Sequence, residues 1–386
     1  MKKKILIFHH YGGIGGAGVS LLHIVKNIDL EKFDVSVACP SQPNSIYLEL
    51  RKLNVNVIKL EKPLIIFNHY NGGINYLFSL RGLKNLYKLI KNKAYIKNII
   101  IEENPDIVVV NSMTLSWIGK IANKLRKETI CFHRETYKQG TFNISNRVIK
   151  KNLSVYFSKV IFISEFDKVA TLPINGQAMV VYDRVDISIF KEGNRMAARN
   201  KLNLESDVNY VLYVGGPSKL KGYHVLLKAI KYLKKEKNIK FILLGFNDTE
   251  ESIIRNEIEN LEINSLLLFY EATMNPELFY RACDMIVFPS TKAHQARPIY
   301  EAGISRIPII ISDFENTKEF AENKISAFTF EPSNSRDLAI KIKNVIYLEK
   351  SLKDKILDTN YERAMKKHDL SKLSEDIQRV FQNGAE

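Results

Sequence analysis

Short apolar runs rich in β-branched residues alternate with longer amphipathic runs along most of the chain. The first half contains KILIFHH, FDVSVACP, VNVIKL, DIVVVNS, ETICFH, KVIFIS and MVVYD, and the second half contains YVLYVGG, FILLGF, LLLFYE, MIVFPS, IPIIIS and AFTFEP. Nearly continuous apolar strands separated by amphipathic helices are typical of parallel sheets that helices cover on both faces. The pattern therefore predicts an α/β protein with two doubly wound sheets.

A polar stretch at 184–206 separates the two series of strands. We predict a Rossmann-like domain over 1–185, a linker over 186–206 and a second Rossmann-like domain over 207–365. A chain of 386 residues is long enough for two such cores. We also predict that the tail is helical and that its last helix, about 366–386, packs back on the first domain.

The bulk composition excludes several classes of protein. With 45% hydrophobic and 26% charged residues, the chain is typical of a soluble globular protein, and no apolar run is long enough to span a bilayer. The basic N-terminus leads into a short strand-like run without a cleavage site, so we expect a cytoplasmic protein. Cys39, Cys131 and Cys283 lie far apart, which favours reduced, buried thiols over disulfides or a zinc site.

Residues 11–20 read YGGIGGAGVS, and residues 13–18 match the spacing G-x-G-x-x-G between a predicted strand and a predicted helix. Free backbone N–H groups and the helix dipole converge at such a turn and bind anions. A dinucleotide site also requires an acidic residue at the end of the second strand, which here ends in Ala-Cys-Pro at 38–40. The motif therefore predicts a phosphate or another anion near Gly15 and Gly16, but not NAD.

Three motifs follow one another from residue 182 onward. YDRVDISIF spans 182–190, VGGPSKLKG spans 214–222, and Glu301 lies between AHQARPIY and AG. This series resembles the donor-binding half of the retaining, nucleotide-sugar-dependent glycosyltransferases of family 4 (group 1), in which the second motif usually reads V-G-R-x-x-x-x-K-G. The resemblance implies the GT-B fold, in which two Rossmann-like domains face each other across a cleft. It also implies that a sugar is transferred from a nucleotide diphosphate with retention of configuration.

The resemblance assigns the donor site to four residues. Gly215, Gly216 and Lys221 would surround the nucleotide diphosphate, with the ammonium group of Lys221 acting as a point charge from the first turn of the helix that follows the glycine turn. Glu301 would accept hydrogen bonds from the two ribose hydroxyls, because a carboxylate suits a vicinal diol. The simpler interpretations are a solvated lysine and a solvated helix glutamate.

His133 ends the predicted strand ETICFH. The resemblance implies that a histidine at this position contacts the donor sugar and positions the acceptor, whereas a strand-end histidine taken alone is more often structural. The adjacent Arg134 and Glu135 argue against an apolar environment, and Glu135 is expected either to orient the ring or to cap the next helix. The loop that contains Gly15 and Gly16 would face the donor phosphates and the acceptor.

Two positions depart from the family pattern. Gly216 replaces the arginine of the second motif, and Ala293 replaces the first glutamate of a Glu-x7-Glu signature, which contacts the donor sugar in the family. Arg297 lies in the same loop as Ala293, and a guanidinium group can bind a diphosphate bidentately. We hypothesise that Arg297 takes over from the missing arginine, and the alternative is a surface arginine without that role.

The net charge of +15 lies entirely in the first half of the chain. Residues 1–200 contain 30 Lys and Arg against 15 Asp and Glu, whereas residues 201–386 contain 27 of each. This asymmetry indicates an anionic partner for the first half. We expect no nucleic-acid partner, because no aromatic and basic platform or known motif accompanies the charge.

Residues 81–97 are predicted to form a basic amphipathic helix next to the apolar segment 63–78. A basic helix beside an apolar loop is typical of proteins that lie on an anionic membrane surface. The alternative is a crossover helix that packs on the sheet and leaves its lysines in solvent. The basic face would consist of Arg81, Lys84, Lys88 and Lys91.

The function that these patterns favour is sugar transfer to a glycan, for which we expect a lipid-linked surface-polysaccharide precursor at the inner face of the cell membrane. No Asp-x-Asp and no metal-ligand spacing occurs, so we expect neither a metal ion nor a cofactor. Two alternatives stay open. One is a nucleotide-sugar epimerase, and the other is a non-catalytic GT-B subunit that partners an active transferase, which the changes at Gly216 and Ala293 favour.

Overall fold

The computed structural model describes residues 2–61, 64, 80–137, 144–190, 193–295 and 297–382, with the backbone alone for 80–90. The chain divides into two compact units. Unit 1 comprises Met1–Arg184 together with Ser371–Glu386, and unit 2 comprises Val185–Leu370.

Unit 1 is built on a seven-stranded parallel sheet in the order β3-β2-β1-β4-β5-β6-β7. Each of the seven apolar runs in the first half of the sequence forms one of its strands, as predicted. The strands are β1 (Lys3–Phe8), β2 (Phe33–Pro40), β3 (Asn56–Leu60), β4 (Ile107–Val110), β5 (Glu128–His133), β6 (Lys159–Phe162) and β7 (Gln177–Val180).

The helices described in unit 1 form two packed groups. They are α1 (Gly16–Asn27), α2 (Ser45–Arg51), α3 (Leu80–Glu103), α4 (Trp117–Lys124), α5 (Ile144–Tyr156), α6 (Glu165–Thr171) and α15 (Leu373–Phe381). Helix α1 contacts α2 and α15, whereas α3 contacts α4 and α4 contacts α5. Right-handed crossovers account for this division, because the strand order reverses between β1 and β4.

Unit 2 is built on a six-stranded parallel sheet in the order β10-β9-β8-β11-β12-β13. The strands, again one for each predicted run, are β8 (Asn209–Val214), β9 (Ile239–Leu244), β10 (Leu267–Tyr270), β11 (Met285–Phe288), β12 (Ile309–Ser312) and β13 (Phe328–Phe330). The helices are α7 (Ile187–Phe190), α8 (Arg195–Lys201), α9 (Tyr223–Leu233), α10 (Asp248–Leu261), α11 (Glu277–Ala282), α12 (Arg297–Ile304), α13 (Ser335–Ile346) and α14 (Lys350–His368).

The central strands are apolar throughout because helices cover both of their faces. All four residues of β4 are buried, and so are all four residues of β12. Alternate side chains of a strand point to opposite faces of the sheet, so a run in which every residue is buried must be covered twice. This burial explains why continuous apolar runs, rather than alternating ones, mark the strands in the sequence.

The segment 186–206, which we expected to be a linker, is part of unit 2. It contains α7 and α8, and both helices pack on α11. The buried Arg199 holds α8 in this position. Its guanidinium group donates to the carbonyl of Ala282 at 3.0 Å and pairs with Asp284 at 2.7 Å. The polar composition of the segment therefore reflects buried ion pairs and not a free connection.

The end of the chain returns to unit 1 as α15, which packs on α1. The side chain of Asp376 on this helix forms a buried ion pair with Arg184. Lys159 donates to the carbonyl oxygens of Val380 at 2.9 Å and Gln382 at 2.8 Å, so its charge lies at the negative end of the helix dipole. These contacts anchor the tail to the sheet of unit 1.

All three cysteines are buried and free, and burial raises the pKa of each thiol, to about 12 for Cys39. None of the helices in the described part of the chain combines the length and the apolar character of a bilayer-spanning segment. Among the same residues, no group of three or more His, Cys, Asp or Glu side chains is arranged to hold a metal ion.

We expect Asp376→Asn to lower the free energy of unfolding of unit 1 by about 3 kcal/mol, because it removes the carboxylate charge that pairs with the buried Arg184. The matched control is Asp358→Asn, which removes an ion pair with Arg306 in which both side chains are about half exposed. The control should cost less than about 1 kcal/mol. Urea unfolding of both variants measures the difference, and equal, small losses would contradict an anchoring role for the buried pair.

Candidate functional site

The turn between β8 and α9 in unit 2 holds the predicted donor-site glycines. Gly216 has a φ of +58°, and a Cβ at this position would lie 2.7 Å from the carbonyl oxygen of Gly245. Gly222 has a φ of +80°, and a Cβ there would overlap the carbonyl oxygen of Pro289. Because the turn passes so close to the ends of β9 and β11, glycine is required at both positions.

Lys221 lies in this turn, one residue before the N-cap Gly222, and not in the first turn of the helix as we expected. Its side chain is partly buried and forms no ion pair with the residues that the structure describes. Burial lowers the pKa of Lys221, and the negative charge of Glu301 partly offsets this effect. The ammonium group is therefore a cation close to the predicted ribose-binding carboxylate.

The carboxylate of Glu301 lies on α12 and is only 7% exposed, so a solvated helix glutamate is the wrong interpretation. Its Oε2 atom accepts a hydrogen bond from the hydroxyl of Tyr280 at 2.6 Å. Its Oε1 atom accepts one from Nε of Arg297 at 2.9 Å. A buried carboxylate requires such partners, and no motif in the sequence marks Tyr280 as one of them.

Arg297 begins α12, and its side chain is only 13% exposed. The guanidinium group pairs with Glu301 and lies 5.7 Å from the centroid of the Tyr300 ring. The alternative of a free surface arginine is therefore wrong. The hypothesis that Arg297 binds the diphosphate stays a prediction, with part of the guanidinium group already engaged by Glu301.

The loop between β11 and α12 lies against the turn that carries Lys221. The backbone N–H of Thr291 donates to the carbonyl of Leu220 at 2.8 Å, and Asn316 donates to the carbonyl of His294 at 2.9 Å. The His294 ring stacks on Phe288. Ala293, at the position of the family's first glutamate, lies in this loop and is partly buried.

The glycine loop of unit 1 leads from β1 into α1. Gly15 is the N-cap of α1, the first turn has no acidic residue, and no side chain caps the helix. A Cβ on Gly15 would meet no atom within 4 Å, and Gly16 is exposed, whereas a Cβ on Gly18 would lie 2.8 Å from Ile46. Gly18 therefore serves packing, while no backbone hydrogen bond among the described residues uses the N–H groups of Gly15 and Gly16.

His133 ends β5 at the carboxyl edge of the unit 1 sheet and is fully buried. Its ring lies between Tyr137 and Phe162, with each ring centroid at 5.0 Å. Burial lowers the pKa of His133 to about 3, so the ring is neutral. Neither ring nitrogen has a hydrogen-bond partner among the described residues.

The expectation that Arg134 and Glu135 exclude an apolar environment for His133 is wrong, because both charges are themselves buried and directed elsewhere. Arg134 pairs with Asp183 and donates to Oδ1 of Asn111 at 3.0 Å. The amide of Asn111 in turn lies 3.1 Å from Nδ1 of His9. Arg134 thus belongs to a buried network of hydrogen bonds, and the ring of His133 lies in an apolar environment beside it.

Glu135 neither orients His133 nor caps the following helix. Its carboxylate accepts hydrogen bonds from the hydroxyl of Ser112 and, at 3.1 Å, from the N–H of Met113. It therefore binds the start of the short 3₁₀ helix Met113–Leu115 that follows β4, whose N-cap is Ser112. Burial raises the pKa of Glu135 to about 7 despite these hydrogen bonds.

The predicted basic helix 81–97 lies within α3. Lys91 is exposed, whereas the side chains of Arg81, Lys84 and Lys88 and most of the apolar segment 63–78 lie outside the described residues. Further exposed basic residues follow on the neighbouring helices α3, α4 and α5. They are Lys93, Lys97, Lys120, Lys124, Arg147 and Lys151.

A family model described as Glycosyl transferases group 1 matches residues 194–363, which contain the turn, the loop and the helix α12 described above. Residues 194–363, less than half of the chain, therefore match the group 1 family, and the chain as a whole is similar to a glycosyltransferase over 97% of its length. The group 1 family is the same family that the sequence motifs resemble.

Two relatives of this glycosyltransferase differ in how much of the chain they match. The capsular polysaccharide biosynthesis glycosyltransferase CapM of Staphylococcus aureus is 25% identical over 45% of this chain and 46% of its own length. The uncharacterized glycosyltransferase MJ1178 of Methanocaldococcus jannaschii is 22% identical over 97% of this chain and 96% of its own length. The alignment with CapM thus spans just under half of that protein.

The crystal structure of Anabaena HepE in complex with UDP and glucose has a TM-score of 0.78 to this glycosyltransferase. The two chains are 19% identical, and the match covers 98% of this chain and 99% of HepE. The likeness confirms the predicted fold class, GT-B, with its two Rossmann-like sheets.

We expect Glu135→Gln to stabilise the glycosyltransferase more at pH 8.5 than at pH 5. The carboxyl group of Glu135 titrates at about 7 in the folded protein and near 4.5 in the unfolded chain. Between pH 4.5 and pH 7 the folded protein therefore holds a proton that the unfolded chain has lost. The stability that this group contributes below pH 4.5 decreases across this range and is lost once the pH has risen through 7. The full loss is about 3 kcal/mol.

Urea unfolding at both pH values measures this effect as the difference between variant and wild type, so that all other titrating groups cancel. Glu102→Gln, a change at an exposed glutamate of the same unit, is the matched control and should show no such pH dependence. A difference for Glu135→Gln that is the same at both pH values would refute the prediction.

Proposed function

We propose that this glycosyltransferase transfers a hexose-type sugar from a nucleoside diphosphate to a glycan with retention of configuration and without a metal ion. The observation that carries the proposal is the cluster at the carboxyl end of the unit 2 sheet. There a partly buried lysine, Lys221, lies in a glycine turn close to the buried carboxylate of Glu301. An anionic diphosphate fits the first group, and a ribose diol fits the second.

The diphosphate would bind to Lys221, with help from Arg297 and from the N–H groups at the start of α12. Lys221 forms no ion pair with described residues, so its positive charge is available for an anion. Charge that develops on the departing diphosphate would be stabilised by the same cations, which are held in place before the reaction.

The transfer itself requires little chemistry from the protein. The acceptor oxygen would attack the anomeric carbon from the side of the leaving group, while the bond from that carbon to the phosphate oxygen breaks. The departing phosphate would take the proton of the acceptor hydroxyl, so that atoms and charge balance without an enzyme nucleophile.

His133 is our candidate for a contact with the donor sugar. Both of its ring nitrogens are buried without a partner among the described residues, and such groups cost free energy. A sugar hydroxyl would remove this cost and would meet a neutral ring that can both donate and accept. The contact requires the ring to become accessible from beneath Tyr137.

The donor and acceptor classes are proposed by analogy. HepE was solved with UDP and glucose, and CapM acts in capsular polysaccharide biosynthesis, so UDP-hexoses and lipid-linked glycans are the first substrates to test. We place the acceptor on unit 1, where the loop at Gly15 and Gly16 has open amides and the basic helices lie.

Binding of an anionic membrane surface on the cytoplasmic side would bring unit 1 to such an acceptor. The excess of basic residues in the first half of the chain and the exposed basic residues on α3, α4 and α5 support this placement. A second candidate function is a non-catalytic subunit, which Gly216 and Ala293 favour. Such a subunit would bind nucleotide without turnover.

The donor site is tested by a thermal-shift panel of UDP, ADP, GDP and CDP, followed by calorimetry with the diphosphate that stabilises most. A ligand at 100 times its Kd should stabilise the wild type by about 2.7 kcal/mol. We expect Lys221→Ala to weaken binding at least tenfold, because it removes a positive charge at the diphosphate. The exposed neighbour Lys219→Ala is the control. Equal affinities of the two variants would remove Lys221 from the site.

Membrane binding is tested by co-sedimentation with anionic and neutral liposomes at low and high salt. We expect binding to anionic liposomes only, with release by salt, because each basic residue near the surface contributes about 1 kcal/mol that salt screens. Changing Arg81, Lys84, Lys88 and Lys91 to Gln should abolish most of this binding and leave nucleotide binding intact.

The control removes the same number of charges from exposed positions of unit 2. It changes Lys228, Lys231, Lys235 and Lys237 to Gln. If the variant in α3 sediments as well as this control does, then α3 is a packed crossover helix and does not bind the membrane.

A further inference from the structure

The buried carboxylate of Glu301 has one protein donor on each of its two oxygen atoms. Tyr280 donates to Oε2 at 2.6 Å, and Arg297 donates to Oε1 at 2.9 Å. A carboxylate oxygen can accept two hydrogen bonds. Each oxygen of Glu301 therefore keeps one acceptor site, and the two free sites match the two donors of a vicinal diol.

We propose that Tyr280 is a positioning residue that holds Glu301 for bidentate recognition of the ribose diol, and that Arg297 does the same from the other oxygen. The inference rests on the proposed function, since it assumes a nucleotide at this site. It extends that function to a specificity: the site should distinguish ribose from 2′-deoxyribose because the carboxylate cannot rotate away.

The position of Tyr280 supports this role. It lies on α11, immediately before β11, and is 1% exposed. Its ring meets the ring of Phe190 edge to face at 5.4 Å, so the hydroxyl has a fixed direction. The tyrosine therefore reaches Glu301 from a separate helix that is itself rigidly packed.

Arg297 holds the carboxylate in a different way. It lies one helical turn before Glu301 on α12, the spacing at which two side chains of a helix meet. With Tyr280 from α11, the two donors approach Glu301 from two elements. A carboxylate held at both oxygens is restricted in χ3, which lowers the entropy lost when a ligand binds.

The experiment compares Kd values for two ligands by calorimetry: the nucleoside diphosphate that stabilises most in the thermal-shift panel, and its 2′-deoxy form. For the wild type we expect the ribose form to bind about tenfold more tightly, as for one hydrogen bond to a charged group. Tyr280→Phe keeps the packing against Phe190 and should reduce this ratio to about threefold or less. Tyr210→Phe, which removes another buried hydroxyl of unit 2, should leave the ratio unchanged.

Two further variants test the same positioning role even if Tyr280→Phe does not fold. Arg297→Met should also reduce the ratio, whatever it does to diphosphate affinity, which is common to both ligands. Glu301→Gln should bring the ratio close to one, and adding Tyr280→Phe to it should change the ratio no further, because the tyrosine acts through the carboxylate.

The outcomes separate the inference from the proposed function. A wild type that discriminates tenfold and a folded Tyr280→Phe variant that does so equally would overturn the positioning role and leave the donor site in place. A wild type that binds both forms equally would overturn the diol recognition. A wild type that binds none of the diphosphates would overturn the proposed function and this inference with it.

Discussion

The turn between β8 and α9 can follow its path only because residue 222 has no side chain. A Cβ on Gly222 would overlap the carbonyl oxygen of Pro289, and its φ of +80° also favours glycine. This close approach brings the end of β11 against the turn, so that Thr291 can bond to Leu220. The placement of Lys221 relative to α12, and with it the whole candidate donor site, depends on this one backbone contact.

In the candidate site and in the tail of the chain, buried carboxylates are held by partner side chains. Glu301 is held by Tyr280 and Arg297, and Asp376 by Arg184. Where hydrogen bonds and nearby charges do not offset burial, the pKa shifts in favour of the neutral form, as burial lowers the pKa of His133 and raises that of Glu135. Unit 2 thus holds Lys221 close to the paired carboxylate of Glu301, whereas the ring of His133 in unit 1 is neutral.

Local sequence patterns were sufficient to predict much of the fold. Each strand follows from an apolar run, because burial of both faces leaves a continuous signal. Lys221 and Glu301 were found from motif spacing, although Lys221 lies before the helix and not inside it. The environment of His133 was misjudged, since the side chains of Arg134 and Glu135 are directed to Asp183 and Ser112 and leave the ring in an apolar site. Tyr280 was missed, because an aromatic residue on a short buried helix gives no sign that its hydroxyl has a special acceptor.

The sequence by itself determined the two-sheet α/β class of fold and its strands, and its motifs indicated the family resemblance and the candidate residues of the donor site. These properties depend on periodicity and on motifs of contiguous residues, which a linear pattern records. Only the tertiary structure decided that 186–206 packs as part of unit 2, that His133 is buried and that Tyr280 and Arg297 share the carboxylate of Glu301. Burial and hydrogen-bond partners depend on which side chains come together from distant parts of the chain. No local pattern of polar and apolar positions carries that information.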